Sequence, residues 1–141
     1  MTAVNRPLNI EQGATWTLGF TWCRESDPPT VPPTPGVAYD LTGAVVRMQI
    51  RATQGSPVLV DASTVGVDPM ITIGDPPTGG RIDIRFPATI TDQMVAMPDP
   101  LGRYFGRSDA LYDLEVVLPN GDVHRILQGP VIISANITQV P

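Results

Sequence analysis

The sequence predicts an all-β domain, a two-sheet sandwich of seven to nine short strands with one short helix. Three observations carry that expectation. Apolar and polar residues alternate with period two in several separate stretches. Thirteen glycines and sixteen prolines punctuate the chain, about a fifth of its 141 residues, which favours short strands and turns over long helices. Turn signals recur about every ten residues, the spacing of a sandwich, with a small barrel as the competing architecture. At this length one domain with a self-sufficient core is expected, spanning residues 1–141.

The first strong strand is Thr15 to Trp22. Trp16, Leu18, Phe20 and Trp22 share one face, and Thr15, Thr17, Gly19 and Thr21 the other. Leu8 to Glu11 reads as a short strand before it, ended by Gly13. Asp27 to Gly36 carries five prolines, which remove ladder donors, so a loop of polyproline character is expected there, centred on 28–36. Asp40-Leu41-Thr42-Gly43 reads as a turn into a second strong strand, Ala44 to Arg51. There Val46, Met48 and Ile50 oppose Val45, Arg47, Gln49 and Arg51. A third strand, Pro57 to Asp61, follows the Gly55-Ser56 turn.

Met70 to Ile73 and Arg81 to Phe86 flank the Asp75 to Gly80 turn cluster and are expected to pair as a hairpin. Between Ala88 and Met97 the spacing changes, with Ile90, Met94 and Met97 four and three residues apart. One or two helical turns are expected, capped by Thr89 or Thr91, with Asp92 near the positive end and Pro98 as the stop. Leu101 to Ser108 reads as irregular. Ala110 to Leu118 and Val123 to Gln128 form a hairpin about Asn120-Gly121. After Gly129-Pro130 a last strand, Val131 to Ile137, is expected, buried on both sides at its apolar start.

Composition narrows the function classes. The net charge is −5, and all nine basic residues are arginine, so the chain lacks the basic footprint of a nucleic-acid binder. Cys23 is the single cysteine, so neither an internal disulfide nor a cysteine-cluster metal site is expected. No apolar run approaches 18 residues, and the first nine residues lack a signal-peptide h-region. No membrane association is expected, and folding is expected in a cytoplasm.

Chemistry-bearing patterns are sparse. His124 is the single histidine and is expected to face solvent on its strand. One histidine and one cysteine cannot supply the usual zinc sets. Ser108, His124 and Asp109 do not have a spacing that demands a triad. Gly102 to Arg107 has glycines but neither a lysine nor a following helix, which a phosphate loop requires. The turn aspartates suit solvated turns. No catalytic residue, cofactor site or metal site is therefore expected. Arg47, Arg51, Arg81 and Arg85 would form a basic stripe broken by Asp83 if their strands were neighbours. Contact surfaces are expected instead at Val31, Pro32 and Pro33 of the stiff loop, and at Met94, Met97, Tyr104 and Phe105, a soft and aromatic group.

Four blocks in order carry a resemblance. They are Leu8 to Trp22, with its Gln12-Gly13-Ala14-Thr15 start and Thr21-Trp22 end; Asp40 to Gly43 with Arg47 to Arg51; Gly80 to Ile82 followed by Thr89 to Met97; and Tyr112 to Val116 leading to Arg125 to Gly129. Together they make the chain resemble small bacteriophage virion proteins of the tail and baseplate type. It is similar to the immunoglobulin-like N-terminal domain of phage baseplate upper proteins, which attaches receptor-binding parts to the virion. The proline-rich 28–36 segment departs from that pattern, and a long C-terminal fibre or receptor-binding region is not expected. The resemblance implies an immunoglobulin-like β-sandwich that is a non-enzymatic virion structural protein. It would act as a tail, baseplate or fibre-attachment adaptor, folding in the host cytoplasm before assembly. Its partners would be other virion proteins in a symmetric assembly with multiple copies per particle. A capsid decoration or head-fibre protein is the nearest alternative. A carbohydrate-binding module using Trp16, Trp22, Tyr104 or Phe105 is the alternative from another class.

Overall fold

The computed structural model describes residues 3–25, 35–94, 97–98 and 107–134. Its strands are β1 (Val4–Asn5), β2 (Leu8–Glu11), β3 (Trp16–Thr21), β4 (Cys23–Glu25), β5 (Pro35–Ala38), β6 (Val45–Arg51), β7 (Val58–Ser63), β8 (Ile71–Ile73), β9 (Arg81–Phe86), β10 (Met97–Pro98), β11 (Arg107–Val117) and β12 (Val123–Ser134). Among the described residues one five-residue α-helix, α1 (Ala88–Asp92), follows β9, and a 3-10 turn, Pro77–Gly79, precedes that strand.

The large sheet has the order β1-β12-β11-β6-β7, with β2 also on β12 and β10 on β11. The small sheet has the order β3-β9-β8, and β4 pairs with β5 separately. The inner faces meet in one core. Val46, Met48 and Ile50 of β6 and Tyr112, Leu114 and Val116 of β11 face Ile82, Ile84 and Phe86 of β9, all buried. Trp16, Leu18 and Phe20 of β3 pack half-buried against it, and the Trp16 and Phe86 rings sit 5.0 Å apart. Strands one to two and twelve lie parallel, while every other described pairing is antiparallel. A first strand parallel to the last, a four-strand path β7-β6-β11-β12 and an opposing β8-β9-β3 form an immunoglobulin-like sandwich of variable type. The expected fold class is the observed one, but with twelve described strands in place of seven to nine, because β1, β4, β8 and β10 are pairings of only two or three residues.

The β6, β9 and β8–β9 expectations match the structure, and the Asp40 turn closes as read, with the Thr42 N–H donating to Asp40 Oδ1 at 2.9 Å. The β11–β12 turn is a three-residue loop of Pro119, Asn120 and Gly121. The Gly121 N–H donates to the Leu118 carbonyl at 2.9 Å, the Leu118 N–H to the Asp122 carbonyl at 2.8 Å, and Gly121 takes φ 93°. That is a type I turn closed by a left-handed glycine.

Several expectations are corrected. Pro35 and Gly36 belong to β5 and not to the loop, because they pair back onto β4; residues 26–34 lie outside the described residues. The helix has no threonine cap. Pro87 occupies that position with φ −63°, and Asp92 ends the helix instead of sitting at its start. Thr91 is fully buried and tethers the helix: its hydroxyl donates to the Ala14 carbonyl at 2.8 Å and accepts the Gly13 N–H at 3.1 Å. Pro98 does not stop the helix, which ends six residues earlier; it lies in β10, opposite Ser108. The irregular stretch expected through Ser108 ends sooner, since Arg107 and Ser108 open β11.

Gly129-Pro130 does not break the last strand. β12 runs through both, because the N-terminal segment crosses there: a Cβ on Gly129 would meet Asn5 Oδ1 at 2.8 Å and the Arg6 carbonyl at 2.9 Å. With φ +154° the position suits glycine alone. Val131 and Ile133 are buried while Ile132 is half-buried, so the strand's start is only partly enclosed on its second side. Residues 135–137 of the expected strand lie outside the described residues.

Candidate functional site

The outer face of the large sheet concentrates long polar side chains on a rigid frame. Period-two alternation puts Arg47, Gln49 and Arg51 of β6 on the side opposite Val46, Met48 and Ile50. On β11 it puts Leu111, Asp113 and Glu115 opposite Tyr112, Leu114 and Val116. Register then lines the residues into rows. Arg47 lies beside Glu115, which lies beside Arg125; Gln49 lies beside Asp113, which lies beside Gln128; Arg51 lies beside Leu111, which lies beside Pro130. On β7, Ser63 and Asp61 extend the first two rows.

A bulge makes the first row possible. Leu114 pairs with Leu127 but Glu115 pairs with Arg125, so Ile126 is an extra residue. Ile126 and Leu127 both stay buried, and Arg125 is brought beside Glu115. Regular pairing would have set Ile126 there.

The charges form a continuous network. Arg47 Nη2 lies 2.8 Å from Glu115 Oε2, Arg125 Nε lies 3.5 Å from Asp113 Oδ2, and Arg125 Nη2 lies 3.9 Å from Glu115 Oε1. Arg51 Nη2 donates to Gln49 Oε1 at 3.0 Å and its other terminal nitrogen to the Ser56 carbonyl. Arg47 and Arg125 are half exposed, so each pair contributes at most about 1 kcal/mol and weakens with salt. The network orients the side chains more than it stabilises the fold.

Between these side chains lies an open concavity of about 780 Å³, floored by Leu111, Tyr112 and Pro130 and rimmed by Asn5 and by Thr53 to Gly55. A smaller depression of about 310 Å³ lies between Arg47, Asp61, Asp113 and Glu115. The Tyr112 side chain lies on the inner face, behind the concavity. Its hydroxyl donates to the Arg6 carbonyl at 2.7 Å, which ties the segment after β1 to β11. Burial pushes the phenol up to about 12, against the opposing pull of the Arg6 charge. The phenol is therefore a hydrogen-bond donor at neutral pH.

A second cluster sits beside the β4–β5 hairpin. The Trp22 and Tyr39 rings stack at 3.9 Å, Arg24 lies 5.1 Å above Tyr39, and His124 lies 5.7 Å from Trp22. His124 is thus half-buried against an indole and does not face solvent; Val123 and Arg125 take the outward positions on that strand. Cys23 is a half-buried free thiol. Among the described residues no group of three or more His, Cys, Asp or Glu is arranged to hold a metal ion.

The interface residues expected from the sequence fare unequally. Met94 is 1% exposed and belongs to the core, because the turn after α1 folds it inward; it is removed as a contact residue. The backbone of Met97 pairs with Asp109 in β10. Val31, Pro32, Pro33, Tyr104 and Phe105 lie outside the described residues. The basic stripe does not exist: Arg47 and Arg51 are on the large sheet, Arg81 and Arg85 on the small one. What the sequence reading missed is the face made by Arg47, Arg51, Asp61, Asp113, Glu115 and Arg125. Its signal was the outward charge on each alternating strand, but which strands are neighbours is not written in any one of them.

No family model matches the chain, and no curated protein matches it. Among solved structures, the extracellular domain of the voltage-gated sodium channel β4 subunit is similar, at 11% identity and a TM-score of 0.39, over 97% of this chain and 91% of that one. That domain is described as forming parallel homodimers that explain its role in cell-cell adhesion.

Proposed function

We propose that this chain is a bacteriophage virion structural protein, a tail or baseplate adaptor that works by docking other proteins through the outer face of its large sheet. The observation that carries the docking role is the composition of that face. Across the three rows that span β7, β6, β11 and β12, three arginines and three carboxylates (Arg47, Arg51, Arg125; Asp61, Asp113, Glu115) balance on a molecule whose net charge is −5, with Asp109 one outward position beyond the last row. A neutral, polar, preorganised face on a rigid sheet gives orientation and partner choice at small entropic cost. The virion assignment draws on the four sequence blocks. They fall on β2 and β3, on the Asp40 turn and β6, on β9 and α1, and on β11 with β12, so the resemblance follows the sandwich frame. Partners would be other virion proteins, with this chain present in several copies around a symmetric particle.

Immunogold labelling of purified phage particles that carry this chain tests the reading. Label clustered at the tail tip or baseplate is the expected result. Label over the head would transfer the chain to a capsid decoration role. Particles that lack the chain by both labelling and mass spectrometry would overturn the virion reading altogether.

A further inference from the structure

The charges of the docking face are ordered, and the order selects a partner. Taken strand by strand across the sheet, β7 presents Asp61, β6 presents Arg47 and Arg51, β11 presents Asp113 and Glu115, and β12 presents Arg125. The signs run minus, plus, minus, plus. We propose that this face pairs with the same face of a second copy of the chain, about a two-fold axis that lies parallel to the strands between β6 and β11. The inference deepens the docking reading of the same face by naming one occupant.

Two sheets can meet face to face about a two-fold axis in two simple ways. An axis perpendicular to the strands sets each strand across its own equivalent, so arginine meets arginine and carboxylate meets carboxylate. An axis parallel to the strands, between β6 and β11, sets β6 across β11 of the other copy and β7 across β12. Every column then faces its opposite sign. Height along the strands is preserved by this rotation, and Arg47 and Glu115 are at one height because they are register partners. Each Arg47 therefore meets the Glu115 of the second copy, twice by symmetry.

The remaining rows agree. Gln49 meets Asp113, amide to carboxylate. Arg125 lands over Ser63, one outward position from Asp61, about 7 Å along the strand and within the sweep of an arginine. At the far end Leu111 is 50% exposed and Val58 38%, and they meet the stem of Arg51 and the ring of Pro130. The self-pairing removes exposed apolar surface and leaves no charge opposite its own kind. The three facing rows balance in charge, with Asp109 exposed one outward position beyond them on β11, so these rows are where two copies of an acidic chain meet with least repulsion.

Charge-reversal mixing read by sedimentation velocity tests the pairing. The parent chain should dimerise at low ionic strength, with association about tenfold or more weaker near 0.5 M salt. Arg47→Glu alone sets carboxylate against carboxylate at both crossings, and Glu115→Arg alone sets guanidinium against guanidinium; each should be monomeric. Mixed in equal amounts the two variants restore opposite charges at both crossings and should form a heterodimer. Circular dichroism of each variant checks that the sandwich is intact. A parent that stays monomeric at high concentration, or a mixture in which no heterodimer forms, overturns the self-pairing. If the parent is monomeric yet Arg47→Glu blocks incorporation into particles, self-pairing fails while the docking reading stands.

Discussion

The two sheets share one core but treat their outer faces differently. On the small sheet the outward positions of β3 are Thr17, Gly19 and Thr21, and those of β9 are Arg81, Asp83 and Arg85. Its described ion pair is local: Arg81 Nη2 lies 2.8 Å from Asp83 Oδ1, two residues along the same strand. The pair folds across Gly19, whose missing side chain leaves room for the guanidinium. On the large sheet the pairs cross between strands, from β6 to β11 and from β12 to β11. A pair within one strand closes its charge on itself and leaves a short, flat surface. Pairs between strands leave alternating columns that a partner can read. On the proposed reading, docking depends on how charge is arranged between neighbouring strands, since both faces hold arginine and carboxylate.

The comparison can be broken first at the core. Leu114→Ala in the large sheet and Phe86→Ala in the small one should each cost about 3–5 kcal/mol in equilibrium denaturant unfolding, since both side chains are fully buried. A cost below about 1 kcal/mol for either would show that its sheet does not share the core. The next largest effect contrasts two glycines. Gly129→Ala collides with the Asn5–Arg6 segment in a strained backbone and should cost about 2 kcal/mol or more, whereas Gly19→Ala displaces only the flexible ends of Arg81 and Asp83 and should cost less than about 1 kcal/mol. Equal costs at the two sites would remove the argument that the crossing dictates Gly129.

Tyr112 gives a pH-dependent effect confined to the large sheet. Its folded-state value of about 12 lies above the ordinary phenol value of 10.0, so its contribution is complete below pH 10 and is lost as pH rises toward 12. The loss should approach about 2–3 kcal/mol across that window. Tyr112→Phe should cost about 1 kcal/mol at neutral pH through the lost bond to Arg6, and should flatten the alkaline slope relative to the parent. Identical alkaline slopes would contradict the burial of the phenol. The smallest effect on stability belongs to the surface arginines. Neither Arg47→Ala nor Arg81→Ala should move the thermal midpoint measurably, but Arg47→Ala should weaken self-association and Arg81→Ala should not, as sedimentation would show.

Much of the frame is legible in the sequence because alternation is a local property. Val46, Met48 and Ile50 announce an inner face from one strand alone, and Ile82, Ile84 and Phe86 do the same. The failures share a physical cause: each depends on a segment remote in sequence. Gly129-Pro130 looks like a break until the Asn5–Arg6 crossing explains it. Thr91 looks like a cap until Gly13 and Ala14 arrive beside it. His124 looks exposed until Trp22 closes over its ring. Met94 has an interface's composition, yet the turn after α1 buries it. The docking face was hidden for the same reason. Asp113 and Glu115 alternate with the buried Tyr112, Leu114 and Val116, but the bulge at Ile126 and the β12-β11-β6-β7 order bring Arg47 and Arg125 to them, and both are products of long-range pairing.

The asymmetry between the two outer faces is tested most directly by following backbone amide NMR shifts as the chain is concentrated at low salt. Shifts that move on β6, β11 and β12, largest near Arg47, Asp113, Glu115 and Arg125 and absent on β3 and β9, are the predicted result. Movement centred on Thr17 to Thr21 and Arg81 to Arg85, or a spectrum that does not change at all, would contradict it.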